Sequence, residues 1–421
     1  MDGLRHPVMD HTLSALSEGY AWLPNRTRES PGPVVRTRLM GRPAVALRGP
    51  DAVRFFYDER HVNRHGALPE PVLGTLFGHE AVHNLDGQAH RVRKGLFLPL
   101  LAPERIAGVV EHVTAEWDGA VPVWSRRSPV VLFDEASVVL TRGVCRWAGI
   151  PLDDRDAESV ARDLIAMVDG FATLGPRHWR ARRARGRQEA RLSRLVEDVR
   201  SGTVQAPAGS VLEDVIRHRN AAGEPLDPKT AAVELINVIR PTVAVSWFVA
   251  FAAHALHRWP EHRERLQSDD AAYAAAFVHE VRRFYPFAPF LGGRAVTDLT
   301  WHDEHIPAGT MVLLDVYGQN HDGSLWDDPY AFRPQRFLRR PVERDELIPQ
   351  GGGDPKAGHR CPGEGITIGL LEALAVRLTR LDYTVPDQDL RIPLHRIPTR
   401  PRSGFVVTGL RAPADRPVAV P

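Results

Sequence analysis

Cys361 is the residue in this sequence whose surroundings most clearly indicate chemistry. It lies in a polar, glycine-rich loop that runs from Gly351 to Gly365, just before a predicted helix that begins at Ile366. Backbone N–H groups in such a loop and at a helix start stabilise a thiolate, the form of cysteine that binds a metal. The other cysteine, Cys145, lies in a largely apolar segment, and we interpret it as inert packing.

A second unusual feature is the pair Arg240-Pro241 in the middle of a long predicted helix, Pro228–His257, which Asp227 caps. Proline inside a helix removes a backbone hydrogen bond and costs on the order of 3 kcal/mol. An arginine among apolar side chains needs an anionic partner. Two interpretations are open: a kink beside a buried salt bridge, or an anion site where the kink frees the wall of a pocket.

The segment His79–His83 matches the pattern His-Glu-x-x-His of zinc hydrolases. Zinc binding would need both histidines on one face of a stable helix, together with a third ligand. The residues 84–87, Asn-Leu-Asp-Gly, are typical of a turn and leave little room for that helix. A zinc hydrolase is therefore a distant alternative.

Composition and charge indicate the broad class of protein. The chain has 421 residues, 43% of them hydrophobic, and a formal net charge of +2, which gives no support for a nucleic-acid partner. Two cysteines are too few for a secreted disulfide framework, so we expect a reducing cytoplasm. Residues 1–28 contain no apolar run typical of a signal peptide, and we expect no transmembrane anchor.

The pattern of apolar residues predicts the elements that position these groups. Pro43–Leu47 and Gly404–Leu410 alternate as strands do, and the remainder is mainly helical. Predicted helices cover His90–Leu101, Asp156–Phe171, Gln188–Arg200, Pro228–His257, Ala271–Phe284 and Ile366–Leu381. No linker is evident, so we expect one domain, residues 1–421, mainly α with a minor β region.

Three motifs in the C-terminal half resemble one family. The sequence Gly-His-Arg-Cys-Pro-Gly at Gly358–Gly363 resembles the haem-binding loop of the cytochrome P-450 superfamily. Glu280–Arg283 resembles its Glu-x-x-Arg helix, and Phe332–Phe337 resembles the segment whose arginine, here Arg336, joins that pair in a buried ionic triad. The resemblance implies a cytochrome P-450 fold and a haem b (iron protoporphyrin IX) whose iron is bound by Cys361.

Two departures from the common pattern indicate a branch of that superfamily. Arg240-Pro241 replaces the acid and alcohol that deliver protons to bound dioxygen, and Asp354 stands where a phenylalanine is usual. Both features resemble the bacterial fatty-acid peroxygenases. The resemblance extends through Leu76–Gly78, Asp86–His90, Leu314–Gly318, Asn320–Asp322 and Ser403–Phe405.

This resemblance implies that hydrogen peroxide drives oxidation of long-chain fatty acids at the α and β carbons, without a redox partner protein. The products are hydroxy acids, or terminal alkenes formed by oxidative decarboxylation. Arg240 would hold the substrate carboxylate, which then serves as the base that the chain lacks. The alternatives are a reductase-dependent cytochrome P-450 monooxygenase and a non-catalytic haem protein such as a gas sensor.

The resemblance also assigns roles to individual residues. Arg240, Pro241 and His83 are the implied catalytic residues, with His83 as a proton donor near the substrate. Phe77, Phe287 and Phe290 are candidate apolar walls of the substrate site, although each could be ordinary core. The residues implied to bind the haem propionates are His90, Lys94, His359 and, on weaker grounds, Arg64 and Arg294.

One basic segment is outside these assignments. Residues 177–187 contain many arginines together with Trp179. We interpret this segment as a solvated helix surface, with a role at a membrane surface as the alternative.

Overall fold

The computed structural model describes residues 9–411 except 31, 172 and 269, and this part of the chain is mostly helical. The mainly α class with a minor β region is thus confirmed. The helices are α1 (Thr12–Glu18), α2 (Trp22–Glu29), α3 (Pro50–Tyr57), α4 (Glu70–Val72), α5 (Gly87–Lys94), α6 (Pro103–Trp124), α7 (Leu132–Ala148), α8 (Ala157–Asp169), α9 (Pro176–Arg200), α10 (Val211–Arg217), α11 (Pro228–Val243), α12 (Val245–Arg258), α13 (Glu261–Gln267), α14 (Ala271–Phe284), α15 (Val316–Asn320), α16 (Arg336–Arg339) and α17 (Glu364–Arg380).

The strands form small sheets at the edge of the helical core. They are β1 (Val35–Leu39), β2 (Arg42–Leu47), β3 (Val62–Asn63), β4 (Val130–Val131), β5 (Phe290–Ala295), β6 (Leu299–Trp301), β7 (Glu304–Ile306), β8 (Met311–Asp315), β9 (Asp382–Thr384) and β10 (Val406–Arg411). One sheet has the order β1-β2-β8-β5-β3, another β4-β10-β9, and β6 pairs with β7. Only the β2–β8 pair is parallel among the described strands.

The helices α11 and α12 form the centre of the hydrophobic core. The Asp227 side chain accepts hydrogen bonds from the backbone N–H groups of Lys229 and Thr230, which caps α11 as predicted. The two helices meet at Ala244, three residues after Pro241, where the helical bonding is interrupted. The combined stretch is apolar and long enough to cross a membrane, but 94% of its most apolar window is buried inside the protein. It is therefore a core helix.

The predicted helices agree with the structure where the sequence has a clear amphipathic period. Ala271–Phe284 is predicted with its observed bounds, whereas α9 begins at Pro176, twelve residues before the predicted start at Gln188. The predicted helix His90–Leu101 is wrong in extent, because α5 ends at Lys94 and a short 3-10 turn follows.

Two long helices, α6 and α7, were not predicted. Gly108, Gly119 and Pro122 interrupt the pattern in α6, and all three are poor helix formers. The helix α7 is buried on most of its circumference, so its apolar residues show little helical period.

A buried ionic triad joins α14 to the first residue of α16. The Arg283 guanidinium donates two hydrogen bonds of 2.8 Å to the Glu280 carboxylate, and Arg336 Nε donates a third at 3.1 Å. Arg283 also donates to the backbone carbonyls of Asn320 and Pro329. Because Glu280 and Arg283 are fully buried, each charge depends on the others for compensation. The triad predicted from the motifs is confirmed.

We predict that Glu280→Gln lowers the free energy of unfolding by about 3 kcal/mol or more, since two buried arginines lose their counter-charge. Urea denaturation of the purified protein measures this change. Glu29→Gln is the matched control, because Glu29 pairs with Arg26 at 3.3 Å with 68% of its side chain exposed. That variant should change stability by less than about 1 kcal/mol. Equal effects of the two substitutions would contradict a structural role for the triad.

Candidate active site

The Cys361 side chain lies in the loop before α17, close to the N-terminus of that helix. Its backbone N–H donates to the Gln350 carbonyl at 3.3 Å, and the Gln350 amide nitrogen lies 4.0 Å from the sulfur. Burial raises the pKa of the Cys361 thiol, whereas the Gly363 N–H and the charge of Lys94 act in the opposite direction. The loop N–H thus favours the thiolate as expected, but desolvation is the larger effect on the pKa of the free thiol. A bound metal cation would replace the proton.

A network of charged side chains fixes the position of this loop. Arg282 is buried and pairs with Glu364, the first residue of α17. Arg360 pairs with the same carboxylate at 2.7 Å, and Arg282 Nε also donates to the Gln350 side chain at 3.2 Å. These contacts tie α14 to both ends of the cysteine loop, so the sulfur is held on a rigid support.

Basic side chains cluster beside the cysteine loop. The His90 and His359 rings stack with centroids 3.8 Å apart, and burial lowers the pKa of His90 to about 3. Lys94 donates to the backbone carbonyls of Gly358 and Arg360, and burial lowers its pKa to about 8. The structure thus brings His90, Lys94 and His359 together.

The two arginines predicted beside this cluster differ in their surroundings. Arg64 is buried, and its guanidinium lies 4.0 Å from the centroid of the Phe56 ring. Arg294 is exposed, and its guanidinium lies beside Gly66 and Gly309. Only Arg64 is therefore placed in an environment where an anionic ligand would relieve an uncompensated buried charge.

Arg240 is a buried cation in the middle of α11. One guanidinium nitrogen donates to the Leu76 carbonyl and the other to Asn237 Oδ1 at 3.2 Å, and only 4% of the residue is exposed. Among the residues that the structure describes, no carboxylate forms an ion pair with it, so the interpretation as a buried salt bridge is wrong. Burial and the nearby charge of Arg185 lower the pKa of Arg240 to about 9, while the charge of Cys361 opposes this shift.

A hydrogen-bond network holds Arg240 without neutralising it. The Asn237 amide donates to Glu234 at 3.1 Å and to the Phe77 carbonyl at 3.2 Å, while its oxygen accepts from Arg240. Glu234 is fully buried and forms its ion pair with Arg93 at 2.7 Å. The neutral amide of Asn237 therefore lies between the carboxylate and Arg240, and the charge of Arg240 remains available to a ligand.

Sequence reasoning missed this network and the inward side chain of Arg185. Glu234, Asn237 and Arg240 are spaced three residues apart in an otherwise apolar helix, and this spacing is a signal of one polar strip. Arg185 lies on α9 and donates to the carbonyls of Leu76 at 2.8 Å and Phe77 at 3.2 Å. No local pattern distinguishes it from the other arginines of that helix.

Pro241 differs in solvent exposure from its neighbours in the core helix. All residues from Thr230 to Ala253 are buried except Pro241, which is exposed. The exposed proline directly follows Arg240 in the chain, so accessible space adjoins α11 at this turn.

His83 lies in a 3-10 turn, Val82–Asn84, beside Arg240. Its ring packs on the Phe77 ring with centroids 4.3 Å apart, and the Arg240 guanidinium lies 5.5 Å from the same ring. Burial and the charge of Arg240 hold the pKa of His83 well below its usual range. The imidazole is therefore neutral near pH 7, with one N–H that can donate, and its role as a proton donor near the substrate stays a prediction.

The remaining motif residues are not gathered at this site. His79 is exposed in a turn, 3.9 Å from Glu70, so His79 and His83 do not share a helix and the zinc hydrolase interpretation is wrong. Phe287 packs on Phe248 in the core with centroids 4.8 Å apart, and Phe290 packs on Trp22 at 5.8 Å. Their assignment as substrate walls stays a prediction.

Comparison with known proteins agrees with the class of protein that fold and site define, a haem-thiolate oxidoreductase. The sequence model of the family "Cytochrome P450" matches residues 260–403. The chain belongs to the cytochrome P450 family and, within it, to the fatty-acid peroxygenases. Its fold superposes on solved structures of cytochrome P450SP alpha (CYP152B1) with a TM-score of 0.93 and 40% identity, over 96% of this chain and 100% of that one.

Two further relatives differ in their sequence identity to this chain. Ligand-free cytochrome P450 OleT is 37% identical, with a TM-score of 0.94 over 97% of this chain and 98% of that one. The cyclooctat-9-en-7-ol 5-monooxygenase of Streptomyces melanosporofaciens is only 22% identical, over 86% of this chain and 84% of its own length. The peroxygenases are thus the nearer of these relatives.

The residues present fit the haem that this family carries. Arg64 and His90 each have a buried ring or guanidinium nitrogen that lacks a hydrogen-bond partner among the described residues. Together with His359 and Lys94 they form a cluster of donors suited to the two carboxylates of a haem, while Cys361 would supply the sulfur ligand. Glu59 and Asp86 also lie at this cluster, 3.8 Å from His90 and 3.3 Å from His359 respectively.

We predict that Cys361→Ser abolishes thiolate ligation of the iron. The ferrous carbonyl complex of the wild-type holoenzyme should show the red-shifted Soret band of a thiolate ligand, and the variant should lose it. Cys145→Ser is the control, because Cys145 is buried in α7 and burial raises its pKa to about 11. A histidine-type spectrum in the wild type, or a lost band in the Cys145 variant alone, would contradict the assignment of Cys361.

Proposed function

We propose that this protein uses hydrogen peroxide to oxidise long-chain fatty acids at their α and β carbons. The reaction gives hydroxy acids and, by oxidative decarboxylation, terminal alkenes. It takes place in a single haem b domain in the cytoplasm and requires no redox partner protein. The observation that carries this proposal is the buried Arg240, which has hydrogen bonds but no carboxylate partner among the described residues.

The guanidinium of Arg240 binds the substrate carboxylate. Two parallel N–H donors match the two oxygens of a carboxylate, and such charge-assisted bonds are strong in a dry site. Because the Phe77 ring lies beside the guanidinium, it offers an apolar surface to the first methylene groups of the bound fatty acid. This pairing fixes the carboxyl end, and so the α and β carbons, nearest to Cys361 and the haem.

The bound carboxylate also takes the place of the acidic residue that Arg240-Pro241 replaces in the core helix. When bound, the haem supplies the iron centre at which the peroxide O–O bond is broken and the substrate is oxidised. A carboxylate oxygen has a second lone pair besides the one that accepts from Arg240, and this lone pair accepts the proton of the peroxide. The substrate therefore completes the site, and peroxide without a carboxylic acid finds no base at this position.

His83 and Pro241 orient this arrangement. A neutral imidazole donates from one ring nitrogen and accepts at the other, so His83 can hold a peroxide or carboxylate oxygen by a hydrogen bond. Its Nδ1 is buried and has no partner among the described side chains. Pro241 has no backbone N–H and so removes one helical hydrogen bond of α11. Its exposed ring lies next to Arg240 in the chain and offers an apolar surface to the substrate.

The solved neighbours support a carboxylic acid as the substrate. Cytochrome P450SP alpha has been solved in complex with (R)-ibuprophen, and a variant of cytochrome P450 OleT in complex with arachidonic acid. Both ligands carry a carboxylate attached to an apolar body. The same chemistry fits Arg240 and Phe77 in this chain, and it favours the peroxygenase over the reductase-dependent monooxygenase.

We predict that Arg240→Ala lowers kcat/KM for peroxide-driven oxidation of a long-chain fatty acid by about 100-fold or more, since a buried ion pair and the positioned base are both lost. Arg240→Lys keeps the charge but loses the two-pronged geometry, so it should retain only partial activity. Arg258→Ala is the control, because Arg258 is exposed at the end of α12. Near-normal turnover by Arg240→Ala would overturn the proposed function.

A second prediction concerns Asn237, the neutral group between Glu234 and Arg240. Asn237→Asp places a carboxylate next to the guanidinium and competes with the substrate, so KM for the fatty acid should rise by about tenfold or more. Asn237→Ala removes one hydrogen bond but leaves the charge of Arg240 free, so the rise in KM should be smaller. Steady-state kinetics with both variants measures the difference. Equal KM values for the two variants would contradict this role of Asn237.

A further inference from the structure

The helix α9 carries arginines on two opposite faces. Arg185 points inward and bonds to the carbonyls of Leu76 and Phe77, beside Arg240. The outward face repeats at helical spacing and is exposed to solvent. Its exposed basic residues are Arg180, Arg183, Arg187 and Arg194.

Most of the outward charge is not neutralised. Arg187 pairs with Asp163 of α8, and that carboxylate also accepts from Gln188. Within the part of the chain that the structure describes, Arg180 and Arg183 have neither an ion-pair nor a hydrogen-bond partner for their side chains. The outward face of α9 therefore carries a net positive charge that attracts an anionic partner.

Large apolar side chains adjoin these arginines. Trp179 is 58% exposed on the first turns of α9, and Leu174 is 74% exposed in the segment just before the helix. A surface hollow of about 460 Å³ lies between Trp179 and the arginines, and its lining residues are Pro176, Trp179, Arg180, Arg183 and Arg187. Exposed apolar and basic groups thus share one continuous surface, which we call the α9 face (Leu174, Trp179, Arg180, Arg183, Arg187 and Arg194).

We propose that the α9 face binds the surface of an anionic phospholipid bilayer. Tryptophan and arginine together are suited to the boundary between headgroups and acyl chains, where the ring is half-buried and the guanidinium meets phosphate. Each basic residue near an anionic bilayer adds to the electrostatic attraction. A nucleic acid would use the arginines but would gain little from an exposed leucine, so the apolar residues favour the bilayer.

Binding of the α9 face to a bilayer would bring the enzyme close to membrane-bound fatty acid. This part of the inference rests on the proposed function. Long-chain fatty acids partition into bilayers, and the inward side of the same helix touches the segment that carries Leu76 and Phe77. A protein docked through the α9 face therefore has its carboxylate-binding segment one helix away from the membrane that holds its substrate.

The test is co-sedimentation of the holoenzyme with vesicles, in the absence of fatty acid and peroxide. The protein should sediment with vesicles of phosphatidylglycerol and phosphatidylcholine in equal parts but not with phosphatidylcholine alone, and added salt should weaken the binding. The double variant Arg180→Glu/Arg183→Glu should reduce the bound fraction by at least about tenfold. Trp179→Ala should also reduce it, which a purely electrostatic contact would not predict.

The matched control is Arg126→Glu/Arg339→Glu. These arginines are also exposed and lack ion pairs within residues 9–411 as described, but they lie outside the α9 face. The control should sediment like the wild type. Equal losses in both double variants, equal binding to the two kinds of vesicle, or binding to a DNA duplex but not to vesicles would overturn the proposal. Because no substrate is present, the vesicle-binding test is independent of the peroxygenase activity. Absence of vesicle binding would not contradict that activity, and absence of that activity would not contradict vesicle binding.

Discussion

The site of this protein is organised around one buried charge without a counter-ion, the guanidinium of Arg240. A guanidinium in the core costs several kcal/mol unless an anion compensates it. Among the residues that the structure describes, neutral oxygens alone bond to it, the Leu76 carbonyl and the Asn237 side chain. An anionic ligand is therefore the missing partner, and the rest of the site is arranged so that no internal carboxylate takes its place.

Two features keep internal carboxylates from pairing with Arg240. Glu234 lies only six residues before Arg240, yet its carboxylate is engaged by Arg93 and by the backbone N–H of Val82 at 2.9 Å. The Arg185 guanidinium pairs with Glu189 at 2.6 Å and bonds to the same Leu76 carbonyl, and its charge contributes to the lowered pKa of Arg240. The Arg282–Glu364 pair ties the cysteine loop to α14, and the Glu280 triad ties α14 in turn to Arg336 at the start of α16. Buried charges thus hold the support of the sulfur in place.

The sequence was informative where a residue type is improbable at its position. A glycine-rich loop around Cys361, an arginine and a proline inside an apolar helix, and an i, i+3 pair at Glu280 and Arg283 are all visible locally, and they predicted the family. The ionisation of Cys361 and His83 was not predictable, because burial is a tertiary property that outweighs helix dipoles and neighbouring donors. The Asn237 network was missed because its partners come from segments about 140–160 residues away.

The most direct test of the account is a product analysis of the holoenzyme with a long-chain saturated fatty acid and hydrogen peroxide, without any reductase. We expect α- and β-hydroxy acids together with some terminal alkene, and complete loss of all products when catalase is added first. Turnover that requires a reductase and NADPH and persists in the presence of catalase would contradict it, since the substrate carboxylate would then not be serving as the base for peroxide.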